Sequence, residues 1–161
     1  MSLYSCFALI EHETAILYEA MVAKAEDHNA ALLLNVILQE TKGHEEIFKH
    51  LAVLSKQSYP PGIPDCKRLM GSIFVDSLEF TRNLSGSLQK GIGSLEAMRG
   101  LVRHEASVSE EYVTMIHSRV NASEEENATV KKILEYIAAD EERHVEILKR
   151  AIALSSTKRK H

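Results

Sequence analysis

The sequence is poor in the residues that interrupt helices, with three prolines and seven glycines among 161 residues. Proline and glycine are the residue types least compatible with a helix interior. The long stretches between them are rich in Ala, Leu, Glu and Lys, which are strong helix formers. This composition predicts an all-α protein.

Features that would indicate a nucleic-acid or membrane partner are also missing. The formal net charge is −4, and the only basic cluster is the run at residues 158–161, so a nucleic-acid surface has little support. No apolar run approaches the roughly 20 residues that span a bilayer, and the first residues lack the basic-then-apolar pattern of a signal peptide. We therefore expect a cytoplasmic protein that binds neither nucleic acid nor membrane.

Cysteine is scarce as well. Cys6 and Cys66 are the two cysteines of the chain, and they form no CxxC pair. The sequence therefore contains neither a zinc ribbon nor a redox dithiol motif. We interpret the two residues as suited to a reducing cytoplasm.

What the sequence does contain is apolar residues that recur at helical spacing along four long segments. The length suits a single domain that covers residues 1–161. Proline cannot continue a helix, so residues 59–64 mark the end of the second segment. Ser123 and Glu126 fit a capping box at the start of the fourth. The four helices are predicted at about 4–26, 30–56, 94–120 and 124–155.

The connections between the predicted helices are short, long and short. The long one, at about 58–93, is expected to carry a short helix at about 66–84 that is interrupted at Ser85 and Gly86. A long crossover between the second and third helices distinguishes ferritin-like bundles from simple up-and-down bundles. The predicted fold is therefore an all-α four-helix bundle of the ferritin-like kind.

The two halves of the chain resemble each other. Residues 9–13 of the first helix align with 101–105 of the third, and residues 40–49 of the second align with 140–149 of the fourth. Both halves place a histidine and carboxylates at matching positions, where a generic amphipathic helix would carry Leu or Ile. Shared amphipathic patterning is the alternative explanation of the match.

Some of the acidic and histidine side chains fall on the apolar stripes of the four helices, because they continue the steps of three or four residues. Three carboxylates buried together would repel one another unless they were protonated or neutralised. A pair of divalent cations removes this difficulty, and oxygen and imidazole ligands suit iron, manganese and zinc. The stripe residues of this kind are Glu13, His44, Glu105, Glu141 and His144.

In these residues the chain resembles the ferritin-like superfamily and, within it, the erythrin domain of rubrerythrin-like proteins. In that family two helices each supply one Glu, and the other two each supply a Glu-x-x-His motif. The resemblance implies that Glu13 and Glu105 are terminal ligands of a two-iron centre. It further implies that Glu141 bridges the two ions, and that His44 and His144 each bind one.

The second helix departs from the family pattern. The residue three positions before His44 is Thr41, which cannot supply the bridging carboxylate that the family uses there. Glu40 is the nearest substitute, but a shift of one residue turns a side chain by about 100° around a helix. A single-turn π-bulge between Glu40 and His44, eased by Gly43, would bring Glu40 to the metals. We include Glu40 among the ligands on this hypothesis, and a regular helix with Glu40 facing solvent is the alternative.

Four further residues adjoin the predicted centre. His12 and His104 each directly precede a predicted glutamate ligand. Each of them is either a supporting residue or mobile ligand of the centre, or a partly exposed helix residue. Tyr18 and Tyr112 are either hydrogen-bonding neighbours of the metals or ordinary core residues.

The resemblance implies redox chemistry of the peroxidase or ferroxidase type at two iron ions, with oxygen or peroxide as oxidant and manganese or zinc as alternative metals. The chain has no rubredoxin module, so a separate electron donor is expected. A homodimer is expected, because helical bundles often bury further surface against a symmetry mate. The alternative from another class is a non-enzymatic helical scaffold or binding protein with a degenerate metal site, which Thr41 favours. A third interpretation makes His44 and His144 ordinary core residues and the glutamates surface residues.

Overall fold

The structure, a computed structural model, describes residues 3–122 and 128–157, without the side chains of residues 105–113 and 119–122. This part of the chain forms α-helices and contains no β-strand. The all-α class predicted from composition is therefore confirmed. The helices are α1 Tyr4–Lys24, α2 His28–Leu54, α3 Ile63–Met70, α4 Ser72–Gln89, α5 Ser94–Ala122 and α6 Ala128–Thr157.

Local sequence explains where the first two helices meet and where the second ends. The Asp27 side chain accepts a hydrogen bond from the Ala30 amide at 2.8 Å and so caps the start of α2. α2 ends at Leu54, ahead of the loop that holds the paired prolines. The predicted limits of the long helices agree with the observed ones to within two residues, except at the start of α6. The capping box predicted there, Ser123 and Glu126, lies outside the described residues.

The predicted crossover contains two helices rather than one. The break lies at Gly71, whose φ of 68° is a left-handed conformation that favours glycine. α4 passes through Ser85 and Gly86 without interruption, which corrects the predicted break there. A glycine inside a helix costs only about 1 kcal/mol relative to alanine, and α4 offsets this by packing against α1 and α5. A further long helix therefore takes part in the core.

The buried residues form two apolar clusters. The start of α1 and the end of α2 lie in the first cluster, and the end of α1 and the start of α2 lie in the second, so these two helices form an antiparallel pair. α6 packs against α2 and α5. The first cluster includes Phe7, Phe48, Phe74, Leu134 and Ile137. The second includes Leu17, Met21, Leu34, Met98 and Leu148.

Cys6 of α1 and Cys66 of α3 form a buried disulfide. The pairing could not be predicted, because 60 residues separate the two cysteines and spacing does not reveal connectivity. Disulfides persist mainly in oxidising compartments, so the cysteines no longer support a cytoplasmic location, which stays a prediction. No helix in the described part of the chain is long and apolar enough to cross a membrane.

Candidate metal centre

A layer of polar side chains, here called the polar layer, separates the two apolar clusters. It occupies residues 9–15 of α1, 38–48 of α2 and 138–148 of α6. The corresponding interval of α5, residues 101–116, includes Glu105, whose side chain lies outside the described part of the structure. The polar residues buried or largely buried in the layer are Glu11, Glu13, Thr41, His44, Glu45, Glu141 and His144.

Glu11, His44 and Glu141 form the one group of at least three potential metal ligands found among the described residues. Each offers a ligand atom, and these atoms all lie within 4.8 Å of one another. Glu11 and His44 are buried, and the Glu141 side chain is 17% exposed. Two carboxylates and an imidazole form a donor set that iron, manganese and zinc accept. The residues present therefore fit a divalent metal ion.

His44 and His144 face each other across the polar layer, with ring centroids 5.9 Å apart and ring planes inclined by 24°. His44 donates through Nδ1 to Glu141 Oε1 and through Nε2 to Asp140 Oδ2, both at 3.1 Å. His144 donates through Nε2 to Glu40 Oε2 at 2.9 Å, and its Nδ1 lies 3.4 Å from Glu141 Oε1. Each imidazole is thus held by a carboxylate of the facing helix, which lies four residues before the histidine of that helix. Glu141 contacts both imidazoles.

Arg143 covers the outer edge of this arrangement. Its guanidinium lies 2.7 Å from Glu40 Oε1 and 2.9 Å from Asp140 Oδ1, and its side chain is 49% exposed. Each of these two carboxylates uses its other oxygen to accept from a histidine. Arg143 therefore fixes the orientation of both carboxylates at once.

Protons on the two histidines offset part of the negative charge of the layer. Burial alone would lower the pKa of His44, but the hydrogen bond to Glu141 and the charge of Glu11 outweigh it and raise the pKa to about 9. Burial of His144 is outweighed in the same way by Glu141, and its pKa is also raised to about 9. Burial would raise the pKa of Glu141, but hydrogen bonds from both imidazoles hold it below its usual range. A metal ion bound to these imidazoles would displace their protons.

The structure brings together four of the six ligands predicted from the sequence: Glu40, His44, Glu141 and His144. Glu13 is not among them, because its Oε1 accepts hydrogen bonds from Arg82 of α4 at 2.6 and 3.0 Å. Glu105 belongs to α5, but its side chain is not described. The sequence therefore located the α2 and α6 side of the centre better than the α1 side.

The π-bulge hypothesis for α2 is wrong, because His28–Leu54 is a regular α-helix. Glu40 reaches the centre without it, by pairing with His144 of the facing helix. The Glu40 side chain is only 29% exposed, so the alternative in which Glu40 faces solvent does not describe the structure either. Thr41 is buried in the layer, as its stripe predicted.

Sequence reasoning misses Glu11, because α1 is apolar on nearly every side. α1 packs against α2, α4 and α5. More than one line of apolar residues along this helix is therefore consistent with a face buried in the core. The stripe that contains Glu13 also contains Ile16, which is 41% exposed. The fully buried alternative runs through Phe7, Glu11, Ala15 and Tyr18. Asp140 is also missed, although its alignment with Glu40 in the repeat was a usable signal.

The histidines that adjoin the predicted ligands do not join the ligand group of Glu11, His44 and Glu141. His12 Nδ1 lies 3.1 Å from Glu45 Oε1, and its side chain is 46% exposed. His104 stacks on Phe80, with ring centroids 3.7 Å apart, and burial lowers its pKa. Tyr18 belongs to the second apolar cluster, and the Tyr112 side chain lies outside the described part.

The fold and the site together define an all-helical protein with a buried carboxylate–histidine group that can hold a metal ion. In comparisons with known proteins, the chain matches no family model, no curated protein and no solved structure. The resemblance to ferritin-like proteins therefore rests on the residues quoted for it.

Proposed function

We propose that the protein is a non-haem iron protein of the rubrerythrin-like kind that carries out redox chemistry with oxygen or peroxide. The observation that carries the proposal is the buried group of Glu11, His44 and Glu141. These carboxylates lie between two apolar clusters, where their charge has to be neutralised. Two iron ions would neutralise them and replace the two protons that the histidines carry.

Bound iron would supply the electron transfer and the Lewis acidity that activate oxygen or peroxide, and manganese or zinc would fit the same donors. The chain supplies geometry. Glu141, which contacts both imidazoles, and Glu11, which completes the group at His44, would hold the metal with the two histidines. Asp140 orients His44 through its Nε2, which leaves Nδ1 for a metal. Electrons would come from a separate donor protein.

A ferritin-like four-helix arrangement is part of the same proposal. α1 and α2 would form one hairpin and α5 and α6 the other, and contact between α2 and α6 joins them. The long connection through α3 and α4 would then correspond to the ferritin-like crossover. The packing of α4 against α1 and α5 is an addition to that plan.

Anaerobic loading with ferrous iron tests the proposed function. The metal-free protein is expected to bind up to two equivalents of ferrous iron and to develop near-ultraviolet absorption when oxygen or hydrogen peroxide is admitted. His44→Gln is expected to lose both properties. Glu19→Gln, at a side chain that is 64% exposed, is the control and is expected to keep both. Failure of the wild-type protein to take up iron overturns the proposal.

The second candidate function is a helical scaffold or binding protein with a degenerate metal site. The observation that favours it is that the polar layer supplies its own counter-charges, because two protonated histidines and Arg143 face Glu141, Asp140 and Glu40. Thr41 supports it too, since threonine stands where the family has a carboxylate. The same loading experiment separates the candidates, because a scaffold would take up no iron.

A homodimer is also proposed. Ile16 of α1 and Leu32 and Val36 of α2 are large apolar side chains on two paired helices, and they are 41%, 54% and 43% exposed. A second copy of the chain that packed on this face would cover them. Light scattering is expected to give twice the monomer mass, and Val36→Lys is expected to shift the protein towards monomer. A wild-type monomer at micromolar concentration contradicts this part.

A further inference from the structure

The matching segments of α2 and α6 differ at a buried position of the centre. Glu40 and Asp140 occupy equivalent positions, and each accepts a hydrogen bond from the histidine of the other helix. His44 and His144 are equivalent in the same way and stack on each other. The exception is Thr41, which is 1% exposed and takes the position that Glu141 has in the other half.

This difference makes the two sides of the centre unequal. On the His44 side, Glu11 and Glu141 supply two carboxylates next to the imidazole. Glu11 is buried, and Glu141 is paired with the two imidazoles. A divalent cation placed there would find its charge matched by two anionic ligands.

The His144 side is poorer among the described side chains. Glu40 is its nearest carboxylate, at 2.9 Å from His144 Nε2. The other oxygen of Glu40 is paired with Arg143 at 2.7 Å, and the Glu40 side chain is 29% exposed. A cation on this side would have to share Glu40 with a guanidinium and compete with solvent, and it would find a neutral hydroxyl at Thr41.

We propose that the centre binds two divalent metal ions unequally, with the tight position at Glu11, His44 and Glu141 and the weak position at Glu40 and His144. The inference rests on the proposed function. The weak position follows from the neutral side chain of Thr41, because in the repeat a carboxylate there would contact both imidazoles as Glu141 does. The tight position is expected to have a dissociation constant at least about tenfold lower than the weak one, the size of effect typical of a lost supporting group.

Titration of the metal-free full-length protein with Co²⁺, followed by calorimetry and by the visible spectrum of the bound ion, tests the proposal. The wild-type protein is expected to show two phases, each of about one equivalent. Glu11→Gln is expected to remove the tight phase. Glu40→Gln is expected to weaken the second phase and leave the first within about twofold.

Thr41→Glu is the variant that completes the site. It is expected to strengthen the second phase until the two dissociation constants differ by less than about threefold. Thr41→Gln has nearly the same size without the charge and is expected to keep the wild-type ratio. If Thr41→Glu fails to fold, as judged by circular dichroism, Glu11→Gln and Glu40→Gln decide the question alone.

Each other outcome counts against the proposal. Two equal equivalents in the wild-type protein overturn it and leave the proposed function standing. Equal weakening of both phases by Glu11→Gln and by Glu40→Gln overturns the assignment of the two positions. A folded Thr41→Glu protein with the wild-type ratio overturns the role of Thr41. No binding of Co²⁺ or ferrous iron at all removes the proposed function and this inference with it.

Discussion

The two apolar clusters and the polar layer between them are stabilised by different forces. In the clusters, side chains such as Phe48 and Leu34 are completely removed from water, which contributes stability in proportion to apolar area. In the layer, the same removal from water penalises Glu11, His44 and Glu141, whose charges must be balanced by partners. Such a layer lowers the stability that an apolar core would give, which is typical of a functional site.

The largest expected effect belongs to the clusters. Phe48→Ala removes a ring that is 0% exposed and lies 5.1 Å from the Phe7 ring, measured between centroids. The variant is expected to lose about 3–5 kcal/mol of unfolding free energy, because the cavity cannot close completely. Urea denaturation measures the loss. Val53→Ala, at a side chain that is 69% exposed, is the control and is expected to stay within about 0.5 kcal/mol of wild type.

The polar layer is expected to make the unfolding free energy of the metal-free protein depend on pH. The pKa of both histidines is raised from 6.5 to about 9, so their stabilisation is complete below pH 6.5 and is lost as the pH rises through 9. A shift of this size in one buried histidine corresponds to about 3 kcal/mol. The two contributions are not additive, because both histidines share Glu141. Urea denaturation at pH 6 and pH 9.5 is expected to differ by about 3 kcal/mol, and equal values contradict the charge balance described.

Glu141→Gln is expected to have a smaller effect that itself depends on pH. At pH 6 the metal-free variant is expected to lose about 2 kcal/mol, because two protonated imidazoles lose a charged hydrogen-bond partner. At pH 9.5 the histidines are largely neutral, so the loss is expected to fall below about 1 kcal/mol. The difference between the two pH values, measured by denaturation, checks the prediction. A loss that is the same at both would mean that Glu141 acts through packing alone.

The smallest effect is expected at the edge of the layer. Glu45 is 7% exposed and lies 3.1 Å from His12 Nδ1 and 2.5 Å from Lys49 Nζ. Both partners are partly in water, so Glu45→Gln is expected to cost about 0.5–1 kcal/mol. Binding of Co²⁺ is expected to be unchanged, because Glu45 is outside the ligand group. A lost binding phase would extend the centre to Glu45.

The sequence was sufficient for the two inward-facing histidines. The stripe of α6 that contains Ile137 predicts an inward His144, and the stripe of α2 that contains Leu34 and Ile37 predicts an inward His44, and both histidines are buried. Proline after α2 and the breaks in the apolar spacing predict the limits of the long helices to within two residues at the ends that the structure describes. What a helix contacts could not be predicted in the same way. The packing of α4 against α1 depends on long-range contacts, which leave no local pattern.

The same limit explains where the structure differs from the sequence-based expectations. α1 has neighbours on several sides, so its apolar residues go nearly all the way round, and spacing could not choose between Glu11 and Glu13. The pairing of Cys6 with Cys66 joins parts of the chain that are 60 residues apart, and no motif marks it. Glu40 of α2 pairs with His144 of α6 and not with His44 of its own helix. This pairing depends on how α2 and α6 are placed relative to each other, which local sequence does not reveal.

The central claim is that the polar layer holds a metal ion with Glu11 as a ligand. Glu11→Gln and Glu13→Gln make the same chemical change two residues apart on α1, one beside His44 and one beside Arg82. The measurement is the ferrous iron retained by each protein after anaerobic dialysis, determined by elemental analysis. Glu13→Gln is expected to retain as much iron as wild type, and Glu11→Gln is expected to lose at least about one equivalent. Loss of iron by Glu13→Gln with full retention by Glu11→Gln would contradict the account.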